Sequence, residues 1–113
     1  MEIKCSELNG YGLYSTKSYS KTEIIYILNG DIHSEPTKYT IRVGNNVHIL
    51  DVCGRYMNHS FTPTTYIDGC KVVAFVDINA GDELTFDYNK TEINMAVPFI
   101  VNDVVVGGKR NQL

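Results

Sequence analysis

Three short stretches of this 113-residue chain carry the residue types that chemistry needs. The densest is Arg55-Tyr56-Met57-Asn58-His59-Ser60-Phe61-Thr62-Pro63, where an amide, an imidazole and a hydroxyl stand side by side between apolar neighbours. Polar groups so placed face solvent, cap loop backbone, or meet a ligand. A serine nucleophile with a histidine base is a poor reading, because adjacent side chains rarely converge and no orienting acid is evident. The second stretch, Gly81-Asp82-Glu83-Leu84-Thr85-Phe86-Asp87-Tyr88, reads alone as a turn and a strand with an edge tyrosine. Gly10-Tyr11-Gly12 offers either a bend or a close approach of main chain to a flat or anionic ligand. It is no dinucleotide fingerprint, since no third glycine opens a helix and no βαβ unit follows. Metal ligation finds no support. Cys5, Cys53 and Cys70 are odd in number and form no CxxC, and His33, His48 and His59 keep no i, i+4 interval.

The elements that must position these stretches are short strands, because turn signals cut the chain into small pieces. Asn9-Gly10-Tyr11-Gly12 predicts a tight turn opening into Leu13-Tyr14, and Ile24-Ile25-Tyr26-Ile27-Leu28 predicts a buried strand ended by Asn29-Gly30-Asp31. Tyr39-Thr40-Ile41-Arg42-Val43 alternates like a half-buried strand, and Gly44-Asn45-Asn46 turns it into Val47-His48-Ile49-Leu50. Residues 51–65 lack a period and predict an ordered loop with one helical turn, a length of loop that often carries function. Ile67-Asp68-Gly69-Cys70 predicts a turn into the strand Lys71–Val76, which Asn79-Ala80-Gly81-Asp82 turns into a hairpin with Glu83–Tyr88. Pro98–Val101 and Val104–Val106 predict a terminal hairpin.

Composition agrees with that sketch. Val and Ile number 11 each and Thr 9, against 3 Ala and 6 Leu. Branched side chains suit pleated strands and disfavour helices, so a helical bundle is excluded and a single, mainly β domain spanning residues 1–113 is expected. A formal charge of −3 leaves no cationic excess for a phosphate backbone, which removes nucleic acid as a direct partner. No run of about 18 apolar residues and no apolar leader segment occurs, so no membrane span is expected, and unpaired thiols suit an intracellular chain.

Taken in order, Gly10-Tyr11-Gly12-Leu13, then Arg55 to Pro63, then Gly81 to Tyr88 resemble the SET-domain protein lysine methyltransferases, over most of residues 6–99. The resemblance implies a β-clip fold of small curved sheets with a C-terminal pseudoknot, an exception to the rule against threading. It implies methyl transfer from S-adenosylmethionine to the side-chain amine of a lysine in a protein, possibly a histone. Gly10, Tyr11, Gly12, Arg55, Asn58 and His59 would hold the cofactor, Tyr88 would orient methyl and amine for in-line displacement, and Phe99 would cover the adenine or the channel. Phe86 matches the position where the family has Phe or Tyr. Phenylalanine there lacks a hydroxyl to hold a water, which favours di- or trimethylation.

By the same analogy residues 37–49 form an inserted hairpin whose strand around Tyr39-Thr40-Ile41 adds to a substrate peptide, or merely completes the sheet. The departures also matter. Leu28 stands where many relatives have a tyrosine near the lysine amine, and Tyr26, two residues earlier on the same face, is a candidate replacement. Thr64 stands where asparagine commonly follows the proline. Residues 98–108 hold no cysteines for a zinc-binding lid and predict an apolar hairpin in its place. A second copy of the chain would bury open sheet edges as a homodimer. A non-catalytic peptide- or partner-binding module is the alternative, motivated by Leu28 and the abbreviated end.

Overall fold

Branched residues concentrate where the backbone is extended. The computed structural model describes residues 2–6, 10–92, 99–101, 104–106 and 108. Twelve strands are described: β1 (Glu2–Ser6), β2 (Gly10–Tyr14), β3 (Ile24–Ile27), β4 (Gly30–His33), β5 (Ile41–Gly44), β6 (Val47–Asp51), β7 (Asn58–His59), β8 (Thr65–Asp68), β9 (Lys71–Ala74), β10 (Glu83–Phe86), β11 (Phe99–Val101) and β12 (Val104–Val106). A 3₁₀ turn, Gly54–Tyr56, precedes β7, and one helical turn, α1 (Tyr88–Thr91), follows β10. The chain is mainly β, as its composition requires.

These strands form small sheets ordered β1-β2-β10-β7, β3-β9-β8, β4-β6-β5 and β11-β12. The core lies where the first two meet the third. Leu13 and Leu84, partners across β2 and β10, are sealed together with Met57, Val72, Ala74, Ile78 and Phe86. Each large apolar side chain buried there contributes about 1.5–3 kcal/mol relative to an exposed one. The hairpin β5–β6 is turned by Asn45-Asn46, with Asn46 in the left-handed region (φ 54°) that asparagine tolerates.

Several local expectations change. Gly10-Tyr11-Gly12 is no bend: all three residues lie in β2, paired with Ser6, Cys5 and Lys4. The run Ile24–Leu28 is an edge strand with Ile24 and Ile27 half exposed, and only Leu28 is buried. Gly30 starts a strand rather than a turn. A Cβ on it would lie 2.0 Å from the Leu50 carbonyl oxygen, so β4 can cross β6 at that point only with glycine. β9 and β10 do not pair. The chain leaves β9 through a bridge between Ile78 and Tyr19, and β10 joins a different sheet.

Candidate active site

Among the described pairings one ladder is parallel, and it assembles the site. β7 lies beside β10 with Asn58 opposite Thr85 and His59 opposite Phe86, and the Ser60 N–H continues the ladder to the Phe86 carbonyl at 3.1 Å. The other edge of β10 is met by β2 at Glu83 and Leu84. Two threonines supply what a neighbouring strand would. The Thr64 hydroxyl donates to the Glu83 carbonyl (2.8 Å) and accepts from the Thr85 N–H (3.0 Å), and the buried Thr65 hydroxyl donates to the Thr85 carbonyl (2.8 Å). Thr64 thus has a structural task at the position where asparagine was the expected residue.

Beyond β10 the chain turns at once into α1. Asp87 caps it by accepting from the Asn89 N–H at 3.0 Å. The turn swings Tyr88 back over β7, where its own N–H donates to His59 Nδ1 at 3.1 Å. An Nδ1 that accepts cannot carry the proton, so His59 is the neutral tautomer protonated at Nε2. Burial lowers its pKa, opposed only in part by Asp87, whose carboxylate lies 3.7 Å away. The Tyr88 ring packs between Phe86 and His59, with centroids at 4.6 and 5.3 Å, and its hydroxyl donates to the Met57 carbonyl. Burial, with the charges of Glu92 and Glu83 added, raises the phenol's pKa. Tyr88 is therefore held neutral, with its proton committed to main chain.

On the other side of β7, the Asn58 amide donates to the Tyr11 carbonyl (2.9 Å) and to Glu83 (2.8 Å). Gly12 lies under this bridge. A Cβ there would sit 2.7 Å from Glu83 Oε2, the movable tip of a side chain, and 3.2 Å from Asn58 Nδ2, so this glycine lies in a crowded strand position and not in a turn. The Tyr11 ring, 64% exposed, meets Tyr56 edge-on at 6.3 Å, and the exposed Arg55 guanidinium lies over Tyr39 (4.6 Å) and Tyr56 (5.7 Å).

An open cavity of about 430 Å³, its mouth included, adjoins this junction. Met57, Phe86, Tyr88 and Glu92 line one side, and Thr37 to Ile41 with Gly54 and Arg55 line the other. Of the sequence-derived positions, Tyr39, Ile41, Arg55, Phe86 and Tyr88 meet at this cavity, while Gly10, Tyr11, Gly12, Asn58 and His59 are not part of its lining; His59 packs on the Tyr88 ring, and Asn58 bridges Tyr11 and Glu83. Tyr26 and Leu28 do not line it. The Tyr26 hydroxyl donates to Asp51 (2.9 Å), and Leu28 is buried in the core. The side chain of Phe99 lies outside the described residues, although its backbone pairs with Val106 in the terminal hairpin. That hairpin contacts the site's far side through the Gly108 N–H, which donates to the Asn89 side chain at 3.0 Å.

Two buried acids, one supporting the site and one lining it, escaped sequence reasoning. Asp51 is buried and accepts from the Tyr26 hydroxyl and the N–H groups of Asn29, Cys53 and Gly54, all at 2.7–2.9 Å, tying β6 to β3 and to the turn before β7. Glu92, 6% exposed, accepts from the Arg42 N–H of β5 at 2.9 Å. A lone acid in a sequence reads as a surface group, and the spacing of Glu92 one helical turn after Tyr88 was the only available signal.

Comparison with known proteins agrees on one family. The SET domain family model matches residues 10–89. The histone-lysine N-methyltransferases, H3 lysine-36 specific, of Candida albicans and Yarrowia lipolytica are 28% and 26% identical to this chain over 111 and 116 residues. Those alignments take in 74% and 79% of this chain but span only 13% and 15% of the relatives' length. The crystal structure of a Plasmodium falciparum protein, provisionally assigned as a histone methyltransferase, superposes with a TM-score of 0.64 at 25% identity. That superposition covers 80% of this chain and 97% of the other.

Proposed function

This chain belongs to the SET-domain family, and from that premise we propose that it transfers a methyl group from S-adenosylmethionine to the side-chain amine of a lysine in a protein substrate. The observation that carries the reading is the junction of β7, β10 and α1, which sets the Tyr88 hydroxyl against the Met57 carbonyl at the wall of an open cavity.

The residues present fit such a cofactor. Gly12 puts no side chain between the β2 backbone and Asn58, the exposed Arg55 guanidinium is a partner for a carboxylate, and Tyr11 and Tyr56 offer aromatic faces beside it. These residues, with Gly10, Asn58 and His59, would hold the group, which supplies an electrophilic methyl on a sulfonium. A lysine ammonium has no lone pair, and its usual pKa near 10.4 keeps it charged at neutral pH. Desolvation against Phe86 and Met57 favours loss of that proton once the side chain has entered. Since the Tyr88 hydroxyl donates to Met57, toward any third group its oxygen can only accept, which suits it to orient an N–H or a polarised methyl and unsuits it as a base. Phe86 adds no hydroxyl at the same wall, which supports more than one methyl on the product. The 37–41 segment and the edge of β5 supply a surface for an extended peptide. Histone H3 is the first substrate to try, in view of the relatives' specificity, and an intracellular site of action goes with it.

The test is to incubate the chain with methyl-labelled S-adenosylmethionine and histone H3 or whole lysate, and to locate label by mass spectrometry. Label on a lysine is expected. Absence of label together with absence of cofactor binding by calorimetry overturns the reading. A second reading, a non-catalytic peptide-binding module, is favoured by one observation: neither Leu28 nor Tyr26 brings a hydroxyl to the cavity. Peptide binding without turnover would support it.

A further inference from the structure

Asp51 and Glu92 are both buried carboxylates, and their surroundings differ in a way that assigns a task. Asp51 collects four donors from the chain and is not among the residues lining the cavity. Glu92 has one backbone donor among the described residues, the Arg42 N–H. The Arg42 guanidinium itself is turned to Asn45 (3.1 Å) and the Thr91 carbonyl (3.5 Å). A buried carboxylate is ordinarily matched by several donors or a cation, because its desolvation is otherwise uncompensated. Glu92 is also the single acid among the described residues lining the cavity. It stands on the same side as Tyr88, one helical turn along the chain.

We propose that Glu92 is the counter-ion of the cavity, the group that receives the ammonium head of an incoming lysine side chain and selects a cation over a neutral chain of the same length. This rests on the lysine reading above and extends it to a residue outside the motifs that carried that reading. The ionisation state fits the task. Burial raises the Glu92 carboxyl to about 7, partly offset by the Arg42 N–H and guanidinium, so the entry of a cation favours the charged form. The other titratable groups lining the cavity are Tyr88 from α1, held neutral, and the basic residues Lys38 and Arg55. Burial lowers the pKa of His59, which packs on the Tyr88 ring and is not part of the cavity lining.

The experiment needs no methyl transfer and no identified substrate. n-Butylammonium, the lysine side chain without its backbone, and 1-butanol, its neutral counterpart, are titrated into the full chain at pH 8, following backbone amide shifts of residues 86–92. The cation is expected to bind about tenfold more tightly than the alcohol, an increment of about 1.4 kcal/mol. Glu92→Gln keeps an oxygen to accept from the Arg42 N–H and is expected to abolish that preference. A second arm uses only the unmodified chain, in case the variant does not fold. A carboxyl titrating near 7 is about one-tenth ionised at pH 6 and about nine-tenths at pH 8, so n-butylammonium affinity should rise several-fold between them while that of 1-butanol stays level. Equal binding of the two probes, a preference retained in Glu92→Gln, or a flat pH response overturns the assignment. A chain that keeps the cation preference yet transfers no methyl group would overturn the proposed function and leave the counter-ion standing.

Discussion

On one side of the cavity, from Met57 to Asn89, polar groups are matched within the chain: Tyr88 by Met57 and His59, Thr64 and Thr65 by β10, Asp87 by its own turn. On the other side, from Thr37 to Arg42, Tyr39 is 45% exposed, Lys38 and Arg55 lie over its ring, and the Arg42 N–H at the strand edge is covered by the Glu92 side chain. The first side is preorganised and has little freedom to adapt. The second has exposed aromatic surface and strand edge, the properties a surface needs to accept different peptides. On the proposed function, this pocket would divide its labour, with reaction geometry fixed by one wall and recognition left to the other.

The comparison breaks most readily at Tyr88. Tyr88→Phe removes the hydroxyl and leaves the ring packing, so methyl transfer should fall about 10³-fold while cofactor affinity by calorimetry stays within about threefold. Unchanged turnover would move the chemistry off this wall. Next comes Asp51→Asn, which places an amide NH₂ against donors that need an acceptor. A loss of about 3 kcal/mol in denaturant titration is expected, with both walls loosened, because Asp51 joins β6, β3 and the turn before β7.

A smaller effect belongs to Glu92. Its folded-state pKa, about 7, lies above the ordinary 4.5. Between these values the folded chain holds the proton more tightly than the unfolded one, so stability falls as pH rises through the window. Glu92→Gln should remove that fall, gaining about 2 kcal/mol at pH 8 relative to pH 4.5 in melts across pH. His48 and His59, both lowered by burial, act with the opposite sign, stabilising as pH rises toward the ordinary 6.5. They are common to both proteins, so the difference between the two curves isolates Glu92. The smallest change is expected for Tyr39→Ala on the exposed wall: a rise of a few-fold in KM for a lysine peptide, about 1 kcal/mol, with kcat kept.

What the sequence made legible divides along similar lines. Asn58, His59, Phe86 and Tyr88 could be singled out because each stands in a contiguous motif whose order along the chain carries information. The β5–β6 hairpin was legible because Asn45-Asn46 is a local turn signal. Pairing between distant segments was not. Glu83–Phe86 reads as the partner of the strand before it, and only the three-dimensional arrangement sends it to β2 and β7. Gly30 and Gly12 read as turn formers, while both lie within strands, and at Gly30 the Leu50 carbonyl leaves no room for a Cβ. Asp51 and Glu92 stayed hidden because a carboxylate's burial depends on donors supplied from elsewhere in the chain.

The parallel ladder between β7 and β10 also has a consequence for how the protein is made. Its two edges are separated in sequence by the whole of β8 and β9, and parallel neighbours cannot be joined by a tight turn. A ribosome that has released every residue through His59 has therefore delivered the glycines, Arg55 and Asn58 without yet forming a pocket. The proposed methyl-transfer centre would come into being late, when the segment ending in Tyr88 emerges and closes a long loop back onto them, so contact order places this site among the slower events of folding.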